Sequence, residues 1–62
     1  MRNDVVTYFG GKSKLASALG VERSAVSQWF RRNTLPALRA IQIESLSFGE
    51  FKAINIIANW NS

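Results

Sequence analysis

The chain has 62 residues, of which 47% are hydrophobic, and it contains no Cys and no His. These absences exclude disulfides, thiolate metal sites and the commonest general base. Its four acids are scattered, with no two of them three or four residues apart. We therefore predict one small domain, residues 1–62, that is not an enzyme and needs no cofactor, metal or small-molecule ligand. A chain this short buries only about 60% of the surface that its unfolded form exposes.

The net charge of +4 lies entirely in the first half of the chain. Residues 1–32 carry six basic and two acidic side chains, whereas residues 33–62 carry two of each. Positive charge concentrated in this way favours a polyanion as partner. The longest apolar run, residues 56–58, is too short to span a membrane, and no signal peptide is visible. We expect a cytoplasmic protein without a membrane partner.

Two short helices are predicted in the first twenty residues. The first covers residues 4–9, with Asn3 or Asp4 as a possible N-cap, and ends at a pair of glycines. The second opens at Lys12 or Ser13, with Ser13 as a possible N-cap, and ends at Gly20, where a positive φ costs little. Its apolar residues repeat at helical spacing: Leu15, Ala16 and Leu19.

The third predicted helix, about residues 22–32, has two faces of opposite character. Glu22 is expected to cap it through its side chain. One face is an apolar stripe: Ala25, Val26, Trp29 and Phe30. The other face holds only neutral polar or positive groups: Arg23, Ser24, Ser27, Gln28 and Arg31.

The second half of the chain begins with a clear helix and ends ambiguously. Pro36 suits the first position of a fourth helix, which the apolar spacing of residues 35–46 continues. Ser47 and Glu50 have the spacing of a capping box. Residues 52–62 fit neither the helical nor the strand period, so a short helix, an extended arm and a strand all stay open.

Residues 12–31 fulfil the packing requirements of a helix-turn-helix. Ala16 is small where two helices must cross closely, and Gly20 tolerates the positive φ of the tight turn. Val21, Val26 and Trp29 are apolar where the turn and the underside of the following helix must be buried. The alternative is an ordinary helical hairpin.

Part of this stretch resembles a known family. The segments YFG at residues 8–10, SKLASALGV at residues 13–21 and SAVSQW at residues 24–29 look like the Cro repressors of lambdoid phages. The resemblance covers residues 4–31 well and residues 36–52 more faintly. It implies a phage or prophage repressor, in a bacterial host, that binds operator half-sites as a dimer through its third helix.

The resemblance also bears on the fold. Members of this family share three helices, followed by a C-terminal half that is helical or a β-hairpin. We predict an all-α bundle of about five short helices, with α+β containing a C-terminal hairpin or strand as the alternative.

The resemblance implies two separate roles for the polar residues, base reading and phosphate contact. Four residues would face the major groove and read bases: Arg23, Ser24, Ser27 and Gln28. Gln pairs with adenine, Arg pairs with guanine, and Ser can hydrogen-bond to several bases. Others would contact phosphates without reading sequence: Lys12, Ser13, Lys14, Arg31 and Arg32. The alternative for each is a solvated surface residue.

The tail holds more large apolar side chains than a monomer of this size is expected to hide. An exposed cluster of this kind usually marks an interface. We therefore predict a homodimer contact, with closure of the small core as the alternative, for six residues: Phe48, Phe51, Ile54, Ile56, Ile57 and Trp60.

The sequence leaves two classes of function open. The first is a transcriptional repressor that binds double-stranded DNA as a homodimer. The second is a helical protein-interaction module, such as an antitoxin or adaptor, with little affinity for DNA. A basic amphipathic membrane binder is weaker, because no aromatic anchors flank the basic face.

Overall fold

The computed structural model describes residues 1–61 and consists of five helices in that range. The helices are α1 (Arg2–Phe9), α2 (Lys12–Leu19), α3 (Arg23–Arg32), α4 (Ala37–Leu46) and α5 (Ala53–Asn59). The predicted all-α bundle is therefore confirmed, and no strand forms in the described residues. Within the same range, no helix has the length and apolar character needed to cross a bilayer.

One core joins all five helices. α2 packs against α1, α3 and α4, and α4 packs in turn against α5. α2 is therefore the central helix, because Leu15, Ala16 and Leu19 are all buried on it. The remaining buried apolar residues come from every other helix and from the segments beside them: Val5, Val26, Leu35, Ala40, Ile43, Ile56 and Trp60.

The helix ends differ from the predicted caps. α1 begins at Arg2 after Met1, and Asp4 pairs with the N-terminal amine at 3.7 Å instead of capping. α2 follows Gly11, not Ser13, and Glu22 stands at the N-cap of α3 without a side-chain cap bond. The predicted cap roles of these side chains were therefore wrong. At α3 the extended backbone of Glu22 begins the helix, and its carboxylate faces solvent.

The segment between α4 and α5 is closed by two side chains. The buried Ser47 hydroxyl donates to the carbonyl oxygen of Glu44 at 3.2 Å and accepts the Phe51 amide at 3.2 Å. Glu44 Oε1 accepts the Ala53 amide at 2.7 Å, at the first residue of α5. The predicted capping box with Glu50 is therefore wrong, because the Ser47 hydroxyl accepts the amide of Phe51 and not that of Glu50. Glu44 instead caps the start of α5.

The tail forms a helix, and its burial corrects part of the predicted dimer contact. Ile56 is fully buried and Trp60 is 2% exposed, both in the core of the single chain. They are unavailable for an intermolecular contact, because their side chains pack beneath the other helices. Phe51 is half-buried, with its ring edge-to-face on Tyr8 at 5.4 Å. The other predicted contact residues are exposed: Phe48, Ile54 and Ile57.

Candidate DNA-binding surface

The turn between α2 and α3 fixes how the third helix is presented. Gly20 adopts φ 74°, a left-handed conformation that an L side chain adopts only with strain. Its amide donates to the Ser17 carbonyl at 3.2 Å, and the Val21 amide donates to the Ala16 carbonyl at 3.0 Å. These two bonds end α2 and reverse the chain within three residues, so that α3 begins at Arg23.

Packing beneath α3 then decides which face is free. Val26 is fully buried, and Ala16 on α2 is only 2% exposed. Trp29 and Phe30 are half-buried against the core, so they pack inward and are not an open stacking platform for bases. The opposite face of α3 must therefore point to solvent.

The predicted base-reading residues lie on that free face. Arg23, Ser24 and Gln28 are exposed, and Ser27 is half-buried. None of the four makes a side-chain hydrogen bond or ion pair within residues 1–61. Their donors and acceptors are consequently available to a ligand, and no internal bond needs to break before they bind.

The predicted phosphate-contacting residues flank this face on α2 and at the end of α3. Ser13, Lys14, Arg31 and Arg32 are exposed, whereas Lys12 is half-buried. The Lys12 ammonium lies 4.4 Å from the centre of the Phe30 ring, a cation–π contact that ties α2 to α3.

The N-terminus of α2 adds backbone donors to the same region. Among the described residues, Leu15 is the first in α2 whose amide finds a backbone acceptor, the Gly11 carbonyl at 2.9 Å. The amides of the preceding turn, at Lys12, Ser13 and Lys14, are therefore open to an anion. Together, α2 and α3 carry five basic side chains against none that is acidic, with Glu22 between the two helices. Their surface attracts a polyanion.

Three residues outside the helix-turn-helix hold it in place, and no sequence pattern predicts them. Arg2 Nη1 donates to the Phe30 carbonyl at 3.2 Å and to Asn33 Oδ1 at 2.6 Å, so α1 caps the end of α3. From α4, Arg39 Nη1 and Gln42 Nε2 each reach the Leu19 carbonyl at 3.4 Å. These partners are 20 to 31 positions apart, and no local pattern connects them.

Comparison with known proteins agrees with a DNA-binding role for this surface. Residues 1–59 match the sequence profile of a family described as "DNA-binding transcriptional regulator Cro". The chain is 35% identical over 51 residues to "Regulatory protein cro" of Salmonella phage P22, covering 82% of this chain and 80% of that protein.

A second relative comes from a bacterial genome. The "Repressor protein of division inhibition gene dicB" of Escherichia coli (strain K12) is 33% identical over 52 residues, covering 84% of this chain and 67% of that protein. No solved structure matches the chain. The profile match spans nearly all of the chain and both relatives exceed 30% identity. The chain therefore belongs to the Cro family of DNA-binding transcriptional regulators, which is not a family of enzymes.

Proposed function

We propose that this protein is a sequence-specific transcriptional repressor that binds a palindromic operator as a homodimer, with α3 in the major groove. One observation carries the proposal: α3 buries Val26 while leaving Arg23, Ser24 and Gln28 exposed and unbonded within the described chain. An arginine and a glutamine on a free helix face match the hydrogen-bonding edges of guanine and adenine. The word "repressor" in the name of the bacterial relative supports the direction of regulation.

The proposed phosphate contacts orient α3 in the groove. Lys14, Arg31 and Arg32 are exposed, and they provide affinity that depends on salt and not on sequence. The open amides at the start of α2, at Ser13 and its neighbours, add a phosphate site of the kind helix N-termini provide. The Lys12 ammonium lies over the Phe30 ring, and this contact holds it in position for a phosphate.

The size of the chain supports two copies on one operator. The Cα atoms span 24 × 22 × 19 Å, whereas successive major grooves on one side of a duplex are about 34 Å apart. One copy therefore presents one α3 to one groove. A second copy, related by a two-fold axis, would read the second half-site. A repressor of this kind acts in the cytoplasm of a bacterial host.

Selection from a random duplex library tests the proposal. The purified chain is mixed with duplexes that contain a randomised segment, and the bound fraction is sequenced after several rounds at about 150 mM salt. We expect a palindrome to be enriched. Retention of duplexes without any enriched sequence would overturn specific reading while leaving charge-driven binding. Retention of no duplex would favour the protein-interaction module instead.

A further inference from the structure

Two positive side chains contact the same aromatic ring on α3. The guanidinium carbon of Arg2 lies 5.1 Å from the centre of the Phe30 ring, and the Lys12 ammonium lies 4.4 Å from it. The two charges are therefore within roughly 10 Å of each other, which is the Debye length at about 0.1 M salt, so they repel. We call Arg2 and Lys12 the Phe30 cation pair.

No carboxylate within residues 1–61 forms an ion pair with either cation. Asp4 is close to Arg2 in the chain, but its carboxylate pairs with the N-terminal amine at 3.7 Å. Glu22 lies between α2 and α3 and makes no ion pair in the described chain. Like charges held on one ring cost free energy, which a neighbouring anion lowers. The Phe30 cation pair therefore attracts an anion from outside the chain.

The Arg2 guanidinium is fixed through one nitrogen and unbonded along another edge. Its Nη1 donates to the Phe30 carbonyl at 3.2 Å and to Asn33 Oδ1 at 2.6 Å, which uses both hydrogens of that nitrogen. Nε and Nη2 have no partner within residues 1–61. These two nitrogens lie side by side in the guanidinium plane, an arrangement that matches two oxygens of a phosphate. Because Arg2 is already held in place, binding costs it little further rotamer freedom.

The Phe30 cation pair lies beside the surface proposed to bind DNA. Lys12 is the first residue of α2, where the backbone amides are open. Asn33, the partner of Arg2, ends α3 directly after the exposed Arg31 and Arg32. The pair is thus located where the start of α2 approaches the end of α3, next to the proposed phosphate contacts. A DNA backbone presents a continuous row of phosphates to such a place, which favours DNA over a free phosphate ion.

We infer that Arg2 is a further DNA contact, which binds a backbone phosphate beside Lys12, and that the Phe30 ring positions both cations. The inference rests on the proposed function, because α3 must enter the groove for the pair to reach the backbone. The ring itself does not contact DNA in this arrangement. It attracts each cation through its electron-rich face, and it is fixed by an edge-to-face contact with Trp60, with the ring centres 5.6 Å apart.

Removal of the Arg2 charge tests the contact. Arg2→Met should weaken binding to every duplex and reduce the slope of log K against log salt by about 0.9, as Lys12→Met should. With a slope change of this size, the loss in affinity grows about eightfold for each tenfold dilution of salt. Gel shifts with operator and unrelated duplexes at several salt concentrations measure both quantities, and circular dichroism gives the folded fraction of each variant.

The matched control is Lys52→Met, which removes the same charge from an exposed residue directly before α5. We expect it to leave the slope unchanged. An equal reduction of the slope in Lys52→Met and Arg2→Met would show that net charge alone is responsible and would overturn the inference. An unchanged slope in folded Arg2→Met would overturn it as well.

Arg2 also holds the end of α3, so a measurement on the wild-type chain complements the variants. In isotope-labelled protein, the nuclear magnetic resonance signal of the Arg2 Nε–H group should shift when the operator duplex is added. The same signal of Arg39, which is bonded to the Leu19 carbonyl from α4, should shift far less. An Arg2 signal that responds to inorganic phosphate alone, or to neither ligand, would overturn the inference.

Replacing the ring separates positioning from folding. Phe30→Leu keeps both charges and should weaken binding by about 2- to 5-fold for each cation that it releases. In a chain that already carries Arg2→Met and Lys12→Met, the same replacement should change the affinity of the folded protein by less than about twofold, because no cation is left to position. An equal loss in both chains would contradict the positioning role. Failure of the wild type to bind any duplex would contradict the proposed function itself, so the two failures are distinguishable.

Discussion

The indole nitrogen of Trp60 donates a hydrogen bond to the carbonyl oxygen of Trp29 at 3.3 Å, and so joins the end of α5 to α3. The Trp60 ring also packs edge-to-face on Phe30, with the ring centres 5.6 Å apart. Trp60 is buried, and both of its partners lie on the inner side of α3. The C-terminal helix therefore supports the helix that we propose enters the major groove.

Replacing Trp60 tests this support. Trp60→Phe removes the indole donor and part of the packed volume, so we expect the free energy of unfolding to fall by about 1–3 kcal/mol. Urea denaturation followed by circular dichroism measures the change. As a control, Ile54→Ala alters an exposed residue of the same helix and should stay within about 0.5 kcal/mol of wild type. Equal stability of Trp60→Phe and wild type would contradict the structural role.

Arg2 offers a test of the cap on α3. Its guanidinium bonds the Phe30 carbonyl and lies 5.1 Å from the centre of the Phe30 ring. Arg2→Met keeps much of the length but removes the charge, so we expect a loss of about 0.5–1.5 kcal/mol in stability.

Lys14→Met is the matched control for Arg2→Met, since it removes the same charge from an exposed side chain with no hydrogen bond or ion pair in the described chain. Thermal or urea unfolding should leave Lys14→Met within about 0.5 kcal/mol of wild type. If both variants lose the same stability, net charge would explain the effect and the cap would not.

Replacing a proposed base-reading residue and replacing a proposed phosphate-contacting residue should affect DNA affinity differently. Gln28→Ala should relax preference at one base pair, costing about 1–3 kcal/mol on the best operator and little on others. Lys14→Ala should weaken every duplex alike and reduce the slope of log K against log salt by about 0.9. Gel shifts with matched duplexes at several salt concentrations measure both effects. Identical behaviour of the two variants would reject this division of roles.

Gly20 permits a test of the turn between α2 and α3. Its φ of 74° is strained for an L residue, yet a Cβ there would meet nothing within 4 Å. Gly20→Ala should therefore destabilise the chain by about 1–2 kcal/mol through backbone strain alone. Gly20→Asn should cost less, because Asn enters the left-handed region more readily. Chemical denaturation ranks the variants, and an Asn variant no more stable than the Ala variant would show that strain is not the cause.

The second and third helices were predictable because their apolar residues recur at helical spacing, and the first because a pair of glycines ends it. Val26 sits inside on α3 while Arg23 and Gln28 sit outside, as the two-faced sequence indicated. Gly20 marked the turn, since few other residues adopt its conformation. The resemblance to Cro repressors, based on this same region, is confirmed by the family match over residues 1–59.

The last helix was not predictable from its pattern. Its inward residues are Ala53, Ile56 and Trp60, at helical spacing, but Ile54 and Ile57 are apolar on the exposed side and hide that period. The start of α5 is set by Glu44, nine positions before Ala53. Contacts at this distance, like that of Arg2 with Phe30, depend on the folded arrangement and leave no trace in a local window.

The unbonded state of the side chains that we propose face the groove has a consequence for divergence. Because Arg23, Ser24 and Gln28 form no hydrogen bond or ion pair with the rest of residues 1–61, exchanging any of them should change folding free energy by no more than about 0.5 kcal/mol. A lineage can thus alter its target in single steps without passing through unfolded ancestors. The fold can therefore stay the same while the residues proposed to contact bases change.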